Sequence, residues 1–174
     1  MPRRHSDSQE FSRFIEADSV GARPVERQIS ANAEERAALA RRFDLQAIDR
    51  LDADFTLRRA GTGVIHVNGT VRGDVVQSCV VTLEPVPAHV QDTFAVDFAA
   101  DADTQAEEEE IDFDAADPPE PIQNGHIDLG ELAAEHLSLA LDPYPRAPGA
   151  ALPARESRED VPERPVNPFS ILKK

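Results

Sequence analysis

The residues of this chain that could do chemistry are one cysteine, five histidines and a dense run of carboxylates. Cys79 is the only thiol, so it cannot form a disulfide within the chain, and it gives no sign of an oxidising compartment. A structural zinc site needs four ligands. His5, His66, His89, His126 and His136 are available for that, yet none stands at a finger or HExxH spacing from another. No local motif sets a histidine or a helix N-terminus beside Cys79, so it reads as a small buried hydrophobe and not as a nucleophile. The carboxylates of EEEEIDFD, residues 107–114, share one solvated environment. Acid–base catalysis instead needs two groups whose surroundings push their pKa values apart. GTGVIHVNG, residues 61–69, lacks the Lys-Ser/Thr of a phosphate loop and the strand–loop–helix context of a dinucleotide site. It reads as a turn and a strand with a bulge-prone glycine. The chemistry therefore points to a non-enzyme with no cofactor and no metal.

Several elements must position these residues. Phe11 to Glu16 and Val25 to Ile29 read as short strands around a turn at Gly21 to Pro24. Asn32 with Glu35 is a capping-box arrangement, and Ala33 to Phe43 continues as a helix with Leu39 and Phe43 on one face. Asp52 to Arg59 alternates apolar and polar residues, as does Ile65 to Val71 after the glycines of 61–63, which predicts a hairpin. Gly73 and Asp74 are expected to turn the chain into a strand holding Cys79, Val81 and Leu83 on one face, which Glu84 to Pro87 should stop because proline lacks a ladder amide. Val90 to Phe98 is the next strand. Four strands at hairpin spacing imply an antiparallel meander, glycine-rich enough to curl toward a barrel. Asp128 with Glu131 is a second capping box, opening a helix that runs to Leu141 and covers the sheet. The predicted fold class is α+β. One domain over 11–145 follows a flexible 1–10, contains a mobile acidic loop at 101–120, and precedes a Pro- and charge-rich tail at 146–174.

The net charge of −15 is unevenly spread. Residues 1–72 carry 12 Lys or Arg against 11 acidic residues, residues 73–145 carry none against 18, and residues 146–174 carry 6 against 4. Phosphate contacts need Lys and Arg, so the middle segment repels RNA and attracts a basic protein. Direct RNA contact would fall to the N-terminal third, to Arg36, Arg41 and Arg42 on the first helix and Arg58 and Arg59 at a strand end. The tail ends in NPFSIL, where Pro168, Phe169, Ile171 and Leu172 form an apolar cluster suited to docking a partner. The sequence shows neither an apolar leader with a cleavage site nor a run approaching the ~20 residues that span a bilayer, so the expected location is the cytoplasm.

VVQSCVVTLEPV, residues 75–86, resembles the VxxxCxRCLxPV signature of the YceD-like family, bacterial proteins associated with accumulation of the large ribosomal subunit's RNA. ERAALARRF at 35–43, NGHIDLGELAAEHLSLALDPYPRAPGA at 124–150 and the closing NPFSILKK are similar to other blocks of that family, in the same order. Cys79, Leu83 and Pro85 are the signature positions here. Many relatives carry a second cysteine three residues after the first and a cysteine cluster in the proline-rich turn. This chain has Thr82, and Arg146, Pro148 and Gly149, at those places, so a zinc site cannot be carried over. The resemblance implies a factor in large-subunit biogenesis that binds a ribosomal or assembly protein. The alternatives are an acidic adaptor unrelated to ribosomes and a nucleic-acid-processing enzyme with an unrecognised site.

Overall fold

A computed structural model describes residues 10–61, 63–100 and 118–151. In chain order the elements are β1 (Phe14–Glu16), a 3-10 turn (Ala17–Ser19), β2 (Val25–Ser30), α1 (Ala33–Arg42), β3 (Ala47–Arg59), β4 (Ile65–Ser78), β5 (Pro85–Ala99), β6 (Glu120–Pro121), β7 (His126–Asp128) and α2 (Leu129–Leu139). The fold is α+β, as expected. Strands β2-β3-β4-β5-β6 form one sheet, antiparallel except for the β5–β6 pair, and β1 pairs with β7 in a separate two-stranded ribbon. The sheet is open and does not close into a barrel.

Strand periodicity sorts the side chains. Ala53, Phe55 and Leu57 of β3, Ile65, Val67, Val71 and Val75 of β4, and Val90, Phe94 and Phe98 of β5 are buried on one face. Leu39 and Ala40 of α1 and Leu132, Ala133 and Leu137 of α2 complete that core. The opposite face is polar and self-paired: Arg72 bonds Asp54 at 2.6 Å, and Asp74 accepts from Arg50 and His89 at 2.7 Å each.

The structure corrects four local expectations. Gly73 and Asp74 do not turn the chain, because β4 runs unbroken to Ser78 in register with β5. Gly73 is there for space: a Cβ on it would lie 2.6 Å from the Leu137 side chain of α2. Gly69 is likewise in register, not bulged, and faces the Phe94 ring. The register shift falls instead between Ile48 and Arg50 of β3. Cys79 to Leu83 is not a strand but a tight turn, closed by hydrogen bonds from Leu83 N to Cys79 O and from Cys79 N to Glu84 O, with Leu83 at φ 63°. Pro85 starts β5 and stops nothing. Its amide position and that of Pro87 share one strand edge, and among the described residues β5 has β4 as its only pairing partner there, so both prolines fit with that edge turned away from β4.

The Phe11 to Glu16 and Val25 to Ile29 segments both contain strands, but they do not pair with each other. β1 goes to β7 and β2 to β3. The capping box of α1 forms in full: Asn32 Oδ1 accepts from Glu34 N and Glu35 N, and Glu35 accepts from Asn32 N. Glu35 also takes a two-armed ion pair from Arg13, which holds its carboxyl below the usual range. Asn32→Ala should cost about 1 kcal/mol, read as a lower urea midpoint at unchanged slope. The second capping box is only half made. Asp128 Oδ1 accepts from Gly130 N and Glu131 N, while the Glu131 carboxylate turns outward to Arg42. The expected acidic loop lies mostly outside the described residues, but Glu120 at its end is in β6, paired with Phe98.

Candidate functional site

Two surfaces stand out, at opposite ends of α2. The first is a cavity of about 600 Å³ at its N-terminal end, with an apolar floor of Phe98, Ile127 and Leu132 and a wall of Glu120, Asp128, Glu131 and Glu135. Phe14 closes one side, 64% exposed, with the His126 ring edge-on to it at 6.1 Å. The β1–β7 ribbon sets this geometry. Arg13 N donates to Asp128 Oδ1 and Leu129 N to Arg13 O, which locks the start of α2 to β1. Gly130 permits that approach, since a Cβ there would sit 2.4 Å from the Phe11 carbonyl oxygen.

The electrostatics of this cavity are unbalanced. Glu131 is held in a two-armed pair with Arg42, which raises the guanidinium's own pKa. Glu135 lies one helical turn on. Burial, then the charges of Glu131 and Glu120, push its carboxyl above the usual range. Asp128 Oδ2 is buried with no hydrogen-bond partner among the described residues. Such an arrangement favours a cation. Apolar floor, exposed aromatic and carboxylate wall together suit the long stem and charged head of Lys or Arg.

The second surface surrounds the signature turn. Cys79 is fully buried, and its sulfur accepts from Ala147 N at 3.3 Å and Thr82 N at 3.4 Å, while Val80 N donates to Pro145 O at 2.9 Å. The thiol thus ties the β4–β5 turn to the proline-rich turn after α2. Hydrogen bonding to the sulfur, first from the Ala147 amide, then from the Thr82 side chain and less from the Thr82 and Val81 amides, lowers the thiol from its ordinary 9 to about 6, against the opposing effect of burial. No group of three or more metal-binding side chains occurs among the described residues. A thiol lowered in this way adds stability that is complete above pH 9 and fades as pH falls toward about 6. Urea midpoints of the chain and its Cys79→Ser variant should therefore separate more at pH 9 than at pH 6, both proteins remaining folded.

The five arginines singled out for RNA are not equivalent. Arg36 donates to the Ile48 and Ala31 carbonyls, Arg42 is held by Glu131, and Arg59 donates to Val20, Gly63 and Ala17 carbonyls. Arg41 and Arg58 are exposed. Leu83 is 75% exposed at the tip of the signature turn, whereas Pro168, Phe169, Ile171 and Leu172 lie outside the described residues. Three histidines meet aspartates: His66 with Asp97, His89 with Asp74, and His136 with Asp92. His136 also stacks on Phe94 with ring centroids 3.5 Å apart, which makes it a packing residue. Sequence reasoning missed Phe14, Asp128 and Glu135 as a group. Glu131 and Glu135, like charges four apart on one helix, were the available signal.

Comparison with curated proteins and with solved structures finds no match. The family described as large ribosomal RNA subunit accumulation protein YceD matches residues 67–174. That span takes in nearly all of β4, the Cys79 turn, β5, the carboxylate wall and all of α2, and it exceeds half of the 174-residue chain. On that match, the chain belongs to the YceD family of large ribosomal RNA subunit accumulation proteins.

Proposed function

We propose that this protein promotes accumulation of large-subunit ribosomal RNA as a non-enzymatic binding module, and that it does so by holding a basic protein partner at the cavity between β7, β6 and α2. The observation that carries the reading is the carboxylate wall: Glu120 and Glu135 have no ion pair among the described residues, and burial and like charge raise Glu135. An Arg or Lys from a ribosomal or assembly protein would relieve that repulsion, and long-range attraction to a segment with no Lys or Arg over residues 73–145 would steer it there. Direct contact with RNA has less support, because Arg36, Arg42 and Arg59 are spent within the fold.

An enzymatic reading lacks a convergent set of groups among the described residues. The cavity offers carboxylates and one imidazole, His126, whose Nδ1 is bonded to the Asn124 carbonyl. Sedimentation of lysate on a sucrose gradient tests the proposal. Co-migration with precursors of the large subunit is expected. Recovery only at the top of the gradient, with normal subunit ratios in cells lacking the protein, would contradict it and favour an adaptor unrelated to ribosomes.

A further inference from the structure

At the C-terminal end of α2 lies an apolar groove of about 520 Å³, walled by Phe43, Leu45, Val80, Leu139, Leu141 and Pro145. Leu139 is 75% exposed and Val80 47%. Two more exposed large apolar residues belong to the same pair of turns, Leu83 and Tyr144. An apolar surface gathered in this way marks a docking site. Asp44 and Asp142 also line it, with no Lys or Arg among the described residues.

The chain itself supplies a suitable occupant. Ala147 is held at the Cys79 sulfur, beside the groove wall at Pro145, and Phe169 lies 22 positions further along the chain. A random-coil chain of that length would have an end-to-end distance of about 25 Å, ample to return to the groove. Between them Leu152, Val161 and Val166 are isolated among prolines and charges, whereas Phe169, Ile171 and Leu172 stand together and are followed by Lys173 and Lys174. The apolar triplet matches the groove and the lysines match its aspartates. Tethering gives the segment a local concentration on the order of millimolar, so modest affinity suffices.

We propose that Phe169, Ile171 and Leu172 seat in this groove within the same chain, with Lys173 and Lys174 against Asp44 and Asp142. The seat closes the molecule's exposed apolar end. It lies apart from the carboxylate cavity and goes beyond the function proposed there, so either can fail alone.

Amide spectra of the ¹⁵N-labelled full chain test this against a chain truncated after Arg164. Truncation should shift the amides of Val80, Leu139 and Leu141, and adding the free peptide NPFSILKK should restore them. Leu139→Glu, at an exposed position that folding tolerates, should release the amides of 169–172 to sharp, disordered positions in the full chain. The shifts should survive about a hundredfold dilution, since the contact is intramolecular. Groove amides indifferent to truncation would overturn the proposal. Shifts lost on dilution would overturn it too, by assigning the occupant to a second copy.

Discussion

Leu137→Asp is expected to leave the chain unfolded. Leu137 is fully buried, its side chain fills the space that Gly73 leaves on β4, and it joins α2 to the face of the sheet that α2 must cover. Losing a buried leucine costs about 2–5 kcal/mol on cavity grounds alone. An unpaired carboxylate in that place adds several kcal/mol more, on the order of a domain's whole margin. Far-UV circular dichroism and a thermal scan check this. Retention of a cooperative transition near that of the unaltered chain would show that α2 is not packed as described.

Glu135→Lys should do the reverse, stabilising the fold while removing its binding. Glu135 is raised first by burial and then by the charges of Glu131 and Glu120. A carboxyl raised on folding costs stability once it ionises, and that cost is absent below its ordinary 4.5. The variant should therefore be more stable than the parent at pH 7, by a few tenths of a kcal/mol to about 1 kcal/mol for each ion pair gained, and the advantage should shrink as pH falls toward 4.5. At the same time the cavity would carry its own ammonium group. Association with a lysine-rich peptide should weaken at least tenfold, or about 1.4 kcal/mol. Unchanged binding would remove the cavity from the account, and an uncharged Glu135→Gln chain that is less stable than its parent at pH 7 would refute the electrostatic reading of Glu135.

These two residues also show what could be read in advance. The helix containing Leu137 was legible because its apolar residues repeat at helical spacing behind an aspartate cap, and that pattern is local. The long strands were legible as alternation, but not their ends. Gly73 looked like a turn because a glycine beside an aspartate usually is one, while its actual reason, the Leu137 methyl on another element, is a contact 64 residues away in sequence. Cys79 to Leu83 alternates as a strand would, yet the demands of closing β4 onto β5 override the pattern. Pairing partners were the least legible. Nothing local tells β1 to seek β7 and not β2, and that one choice creates the cavity by bringing Phe14 to Asp128 and His126. The charge tally pointed to the acidic half. The particular carboxylates emerged only with the fold.

The central claim, that a carboxylate-lined surface on this fold supports accumulation of large-subunit ribosomal RNA, is tested most directly by the ratio of large- to small-subunit rRNA in cells lacking the protein. The ratio should fall on deletion and recover with the intact chain. It should stay low with a Glu120→Lys, Glu135→Lys chain that is expressed at the same level and melts no lower than its parent. An unchanged ratio on deletion, or full recovery with the charge-reversed chain, would contradict the account.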